Sequence, residues 1–347
     1  MGEKSINNVR DSGVELLRIL ATLSVIILHI RGGWETAVLP NTVNYYVYWI
    51  IEILCAAAVN CFLLITGYYS AGKNSFSLWK PLELYLQLVI CREIVYITMV
   101  ITGIRQFTMY EAYIKLFPTN YYVTLYIGMI LLAPYINRLI SVLDDASLKK
   151  MIVVLVILLS VWPTIVDLLE DLANMDLAGA NSISSEGGAF GQTLIHFIFV
   201  FILGSALKRF NVQKKPGICI LTVVVSNIVL TILCFVYLHY GIKVNRIITY
   251  SNPLLILEAI GLFMLFKGMS FQSKAINILA SASFMTYILH GYFLSLVSIE
   301  NIVNDNVLFV IARTCVMLVG VYLVCFVCEM IYKVTVRRSI KKVQSHL

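Results

Sequence analysis

Apolar runs long enough to cross a bilayer recur along the whole of this 347-residue chain, and nothing else in the sequence constrains its fold as strongly. A membrane's hydrocarbon core is about 30 Å thick and a helix rises about 1.5 Å per residue, so a spanning helix needs about 20 mostly apolar residues. Inside hydrocarbon no water bonds to backbone groups, which leaves helices or closed barrels. The runs are continuous rather than alternating, which selects helices. The chain is 60% hydrophobic and 13% charged, with a mean hydropathy of +0.87, far more apolar than a soluble core requires.

The expected fold is therefore all-α and integral to the membrane. About ten transmembrane helices form one bundle, with both termini cytoplasmic. The spans lie near 14–31, 43–70, 81–104, 121–143, 150–167, 190–207, 217–240, 252–268, 275–297 and 306–333, in a single membrane domain over 1–347. Glu3, Lys4, Arg10, Asp11 and Glu15 precede or open the first run and no small-residue cleavage site follows it, so it reads as a retained helix. With the N-terminus inside, 19 of the 26 basic residues fall on the cytoplasmic side, among them Lys4, Arg10, Arg18, Lys80, Lys341 and Lys342. Arg31, Arg105, Lys115, Lys243 and Arg246 fall outside. Topology and anionic inner-leaflet lipid thus account for the net charge of +7, and no nucleic-acid partner is inferred from it. The eight cysteines lie almost entirely in predicted helices, without the histidines or carboxylates a metal site needs, and read as structural thiols. No soluble domain or internal repeat is evident. The outer loop 168–189 carries Glu170, Asp171, Asp176 and Glu186 with no Lys or Arg, then a Ser/Gly-rich stretch from Asn181 to Gly191; it reads as an outward-facing acidic segment or as a lid.

An ionisable side chain inside a spanning helix costs a few kcal/mol unless it lines a cavity or is paired, so each one is a candidate for function. Counted from the inner edge, His29 and His290 lie about 22 Å in. His196, Glu258 and Arg313 lie about 9 to 11 Å below the outer edge, which is the same level. Glu52 is slightly deeper, and Arg92 and Glu93 are nearer the midplane. Costly groups from different helices at one depth predict a polar chamber in the outer half of the bundle; the alternative is structural pairing, Glu258 with Arg313 for instance. On the first helix Arg18 and His29 are about three turns apart on one face, with Glu15 a turn before Arg18 where it can pair with it. Arg18 at the cytoplasmic mouth suits a phosphate, or serves as a snorkelling anchor; His29, deeper in, suits proton transfer. Ser283, Tyr287 and His290 form a polar stripe that faces the bundle interior, where Tyr287 or Ser283 can orient His290 or hold helices together.

These residues resemble a family. "GVELLRILATLSVIILH", with Arg18 and His29, looks like the first-helix signature of the acyltransferase-3 family of membrane O-acyltransferases. "AVNCFLLITGYY", with Phe62, Thr66, Gly67 and Tyr68, is similar to its second-helix pattern. "NYYVTLYIGMILLAPYINRLI" is similar to its fourth-helix pattern at Tyr122, Pro134 and Asn137, although Asn120 and Tyr121 stand where tryptophan is often found. "LASASFMTYILHGYF" looks like its late-helix pattern at Ser283, Tyr287 and His290. The resemblance implies transfer of an acyl group, usually acetyl, from cytoplasmic acyl-CoA to a hydroxyl of a glycan or glycolipid, within the membrane domain, since no extracellular hydrolase-like domain follows. It makes Arg18 and His29 the essential pair. Glu15, Arg92, His196, Glu258, Ser283, Tyr287, His290 and Arg313 are the further substrate-contact candidates, Arg92 or Arg313 as oxyanion or substrate contacts. Acetyl-CoA is expected as a donor substrate, with no resident cofactor and no metal, in a multi-pass protein of a bacterial plasma membrane whose partners are acyl-CoA, the acceptor and lipid. The competing class is a secondary transporter or flippase with the buried charges as its path; its usual marks, inverted repeats and Gly/Pro-broken helices, are not evident.

Overall fold

The computed structural model describes residues 10–173, 175–177, 180 and 189–338. Glu3, Lys4, Lys341, Lys342, Glu186, the side chain of Arg31 and half of the loop 168–189, including nearly all of its Ser/Gly-rich stretch, lie outside what is described. The described residues are helical, in the order α1 Ser12–Ala37, α2 Val43–Ala56, α3 Ala58–Ser70, α4 Trp79–Ile101, α5 Met109–Lys115, α6 Tyr121–Val142 and α7 Asp145–Val156. They continue as α8 Trp162–Ala173, α9 Leu194–Arg209, α10 Pro216–His239, α11 Pro253–Lys267, α12 Lys274–Ala280, α13 Ser283–Leu294 and α14 Val307–Val334. The chain is an all-α integral membrane protein.

Short polar residues start these helices where the sequence places them before apolar runs. The side chains of Asp11, Thr42, Asn120, Asp144, Thr193, Asn252, Ser273 and Asn306 each accept from a first-turn N–H, and Pro253 opens α11 just after its cap.

Seven described helices are long and apolar enough to span a membrane: α1, the bent pair α2–α3, α4, α6, the α7–α8 unit, α10 and α14. The three other expected spans take a different form. Segment 190–207 becomes α9, 16 residues, and segment 252–268 becomes α11, 15 residues. Segment 275–297 is broken into α12 and α13, of 7 and 12 residues. Short helices survive here because neighbours cover them: Phe197, Val200 and Phe201 of α9 and Leu255, Ala259 and Phe263 of α11 are fully buried. The expected span 150–167 is longer than predicted, since α7 continues through a π-turn, Ile157–Val161, into α8.

The two ends of the bundle are tied by different bonds. At one end Lys267 bridges Asp11 at 2.8 Å, Arg209 bridges Asp145 at 2.9 Å, and Asn137 donates to the carbonyls of Ser70 and Lys73. At the other Asn44 donates to the carbonyls of Val303 and Asp305, and Arg246 grips Glu170 and Asp171 at 3.1 and 2.8 Å. Every one of these contacts joins turns that the alternating topology puts on the same side. The first is called the basic end below.

α1 stands in the middle, packed against α2, α3, α11, α12, α13 and α14. α3 and α9 cross backbone against backbone. A Cβ at Gly67 would lie 2.2 Å from the Phe201 carbonyl oxygen, and one at Gly204 would lie 2.4 Å from that of Leu64. The space is used for bonding, since Ser205 donates to the Gly67 carbonyl at 3.1 Å. Small residues that let backbones touch are how helices associate where lipid removes the hydrophobic drive.

Because both obstacles at this crossing are backbone, neither can swing aside. Gly67→Ala and Gly204→Ala should each cost about 1–3 kcal/mol, read as a lowered thermal midpoint of the purified protein. Gly217→Ala, whose added methyl meets nothing, is the control and should leave the midpoint near that of the unaltered protein.

Candidate active site

Two cavities meet inside the bundle. The first, about 340 Å³, opens at the basic end. Five cations line it: Arg10 and Arg18 from the start of α1, Lys80 from α4, and Lys333 and Arg337 from the last stretch of the chain. Their carboxylate partners hold them in place without cancelling them. Arg18 lies 3.5 Å from Glu15, Lys333 lies 3.2 Å from the buried Glu329, and Arg337 lies 2.8 Å from Glu83. The break between α12 and α13 forms part of the wall, through Ala280, Ser281, Ser283 and Phe284. It turns the N-terminus of α13, with its unsatisfied N–H groups, toward the same space. Ser281 accepts from Lys333, while the Ser283 hydroxyl is buried without a partner.

The second cavity, about 260 Å³, opens at the opposite end. His29, Glu52 and Tyr121 line it together with Gln192, Asn245 and Tyr250 of the far loops. A layer of hydrogen bonds backs it. His196 is buried with Nε2 2.8 Å from Asn60 Oδ1; Asn60 donates to the Tyr250 carbonyl at 2.9 Å; the Tyr250 hydroxyl lies 3.0 Å from that of Tyr121. Tyr287 lines both cavities and is the wall they share. Its ring packs 4.5 Å from Tyr122 and 6.0 Å from His290.

His29 and His290 face each other edge to face, 4.5 Å between ring centres. His29 Nδ1 is 2.7 Å from the Val25 carbonyl and His290 Nδ1 is 2.9 Å from the Thr286 carbonyl. A carbonyl only accepts, so each bond requires the proton on Nδ1 and leaves a lone pair on Nε2. His29 is exposed to the cavities, whereas His290 is buried with Nε2 unpartnered.

The residues expected from the sequence divide accordingly. Arg18, Glu15 and Ser283 belong to the basic cavity or its rim, His29 to the far one, Tyr287 to both, and His290 and His196 stand directly behind the far cavity. The anticipated hydrogen bond from Ser283 or Tyr287 to His290 is not the one that holds that ring: the Thr286 carbonyl, one turn back on the same helix, satisfies Nδ1 first. Arg92 is spent on structure, donating to the Phe117 carbonyl, Thr119 and Tyr292. Glu258 is buried beside Asn227 of α10, while Arg313 is exposed on α14, so the two do not pair. Four of the five cations in the basic cavity, and the Asn60–Tyr250–Tyr121 layer, were not singled out. The cations carry the same signal as any cytoplasmic anchor, and the polar layer is assembled from three distant segments.

A family model described as an acyltransferase domain matches residues 11–330, nearly the whole chain. The chain belongs to the acyltransferase-3 family. It is thus a multi-pass membrane acyltransferase. Comparison with curated proteins and comparison with solved structures each return no match.

Removing the amide that supports His196 tests the layer behind the far cavity. Asn60→Ala leaves His196 Nε2 buried without its Asn60 partner and removes the bond to the Tyr250 carbonyl, and should destabilise the protein by about 1–3 kcal/mol. Asn60→Ala combined with His196→Phe should recover part of that loss in thermal unfolding, because the second change removes one orphaned group.

Proposed function

We propose that this acyltransferase moves an acyl group, most simply acetyl, from acyl-CoA held at the basic end to a hydroxyl of a cell-surface glycan or its lipid-linked precursor, with His29 as general base. The observation that carries this reading is the pair of cavities meeting at Tyr287, one lined by cations and the other by His29 and hydroxyl- and amide-bearing side chains. The basic end is then the cytoplasmic face of a bacterial plasma membrane, in keeping with the positive-inside rule.

The basic cavity matches a donor rich in phosphate. Arg18, Arg10, Lys80, Lys333 and Arg337 offer point charges and planar forks for phosphate oxygens, and the N-terminus of α13 adds N–H donors. The acylated thiol extends from there toward Tyr287 and His29. At the far side Glu52, Gln192, Asn245 and the tyrosines supply the acceptors and donors that a polyhydroxyl acceptor needs. The bond from His29 Nδ1 to Val25 presents Nε2 as the basic atom. Nε2 takes the proton of the acceptor hydroxyl, whose oxygen attacks the thioester carbonyl. The C–S bond then breaks, and the CoA thiolate takes a proton back from the imidazolium. The bundle keeps bulk water from competing at that carbonyl.

Two substitutions separate the roles. His29→Ala should abolish acyl transfer while leaving the thermal midpoint, and its rise on adding acetyl-CoA, near those of the unaltered protein. Arg18→Gln should weaken acetyl-CoA about tenfold, the equivalent of one charge-assisted contact, read as KM and as a smaller thermal shift. Full activity in His29→Ala would remove His29 from the chemistry. Purified protein that neither releases CoA nor gains stability with acetyl-CoA would remove the donor.

A further inference from the structure

The side of the basic cavity that meets the far one is made of aromatic rings. Tyr287 borders both spaces, and Phe62, Tyr122 and Tyr126 line the basic cavity with it. Tyr122 is the centre of the group: its ring lies 4.5 Å from that of Tyr287, 5.6 Å from that of Tyr126 in a stack, and 6.4 Å from that of Phe62. Tyr287 also lies 6.0 Å from the ring of His290, which is 4.5 Å from that of His29. The way from the cations to His29 therefore passes a wall of rings.

That wall has little room to yield. Tyr122 and Tyr287 are both buried, and Phe197, which has no exposed surface, packs 5.4 Å from Tyr122. The Tyr126 hydroxyl lies 3.2 Å from that of Thr66, which donates in turn to the Phe62 carbonyl at 2.8 Å. In an interior packed as densely as a crystal, a ring enclosed in this way does not reach a new rotamer without displacing its neighbours. An acyl group brought to His29 has to fit beside these rings. Acetyl adds one methyl beyond the carbonyl, whereas each further methylene has to push a ring aside, and such overpacking is costly.

We propose that Tyr287 and Tyr122 measure the acyl group, admitting acetyl and excluding longer chains from the place where His29 acts. This deepens the function proposed above by naming the residues that choose the donor's acyl group, and it rests on acyl-CoA entering by the basic cavity. The selection comes from ring volume. A substitution that keeps the ring of Tyr287 therefore keeps the preference, and one that removes it joins the two cavities and makes room for a longer chain.

The test uses the full chain purified in nonionic detergent and reads the rise in thermal midpoint over concentration series of CoA, acetyl-CoA, butyryl-CoA and hexanoyl-CoA. The unaltered protein should bind hexanoyl-CoA at least about tenfold more weakly than acetyl-CoA, the equivalent of about 1.4 kcal/mol, with butyryl-CoA between them. Tyr287→Phe should keep that order. Tyr287→Leu should strengthen hexanoyl-CoA relative to acetyl-CoA and remove most of the difference, with free CoA as the internal reference. Tyr122→Leu, which removes the ring packed on Tyr287, should relax the preference in the same way and decides the matter if Tyr287→Leu does not fold. Equal binding of acetyl-CoA and hexanoyl-CoA by the unaltered protein, or a preference that survives the loss of either ring, would overturn the proposal. A preference lost in Tyr287→Phe would overturn it too, since the hydroxyl and not the ring would then select. If CoA and acetyl-CoA both leave the midpoint of the unaltered protein unmoved, the donor assignment falls instead.

Discussion

In hydrocarbon a backbone N–H or C=O has no water to bond, so every departure from helix must be covered by protein or face a cavity. The three interruptions here obey that constraint. Ala57, between α2 and α3, is buried, and the adjoining Glu52, Ala56 and Val59 line the far cavity. Ala282, between α12 and α13, is buried, and its neighbours Ser281 and Ser283 line the basic cavity. The π-turn of Ile157–Val161 is tied at Ser160, which donates to the Ser251 carbonyl at 2.6 Å. Breaking a helix thus does two things at once: it opens space inside the bundle, and it turns helix ends and polar side chains into that space.

α1 converts this local geometry into a site. Because it touches six other helices, its register sets where Arg18 and His29 fall relative to everything else. Arg18 meets cations carried by α4 and by the end of the chain, while His29, about three turns further on, meets the His290 ring of α13. The glycine crossing of α3 and α9 supports the other side, drawing two backbones close enough for Ser205 to reach the Gly67 carbonyl and holding Asn60 opposite His196. A bilayer offers no reward for burying one aliphatic surface on another, so close fit and buried hydrogen bonds have to set these positions.

Much of this was legible in the chain. Apolar run length gave the helices, and spacing along one helix put Arg18 and His29 on a common face. The cost of buried charge drew attention to His29, His196 and His290, which the structure gathers around one cavity. The same reasoning did not separate Arg92, Glu258 and Arg313, because depth alone does not say which way a side chain points. Arg92 turned out to brace a loop and Glu258 to sit beside Asn227. The helix breaks were missed for a different reason. Gly and Pro mark a break through backbone preference, but Ala57 and the Ser281–Ala282 pair are ordinary helix formers, and what holds them out of helix is packing.

By itself the sequence determined that this chain lives in a membrane as a helical bundle, because hydrophobicity and length act locally and additively along the chain. It also determined the family, through motifs contained within single helices. Only the tertiary structure decided that the cations of the α1 end, α4 and the last stretch of the chain share one cavity, and that Tyr287 divides it from another. Those are relations between residues up to hundreds of positions apart, fixed by which helix faces meet, and no single stretch of sequence contains them.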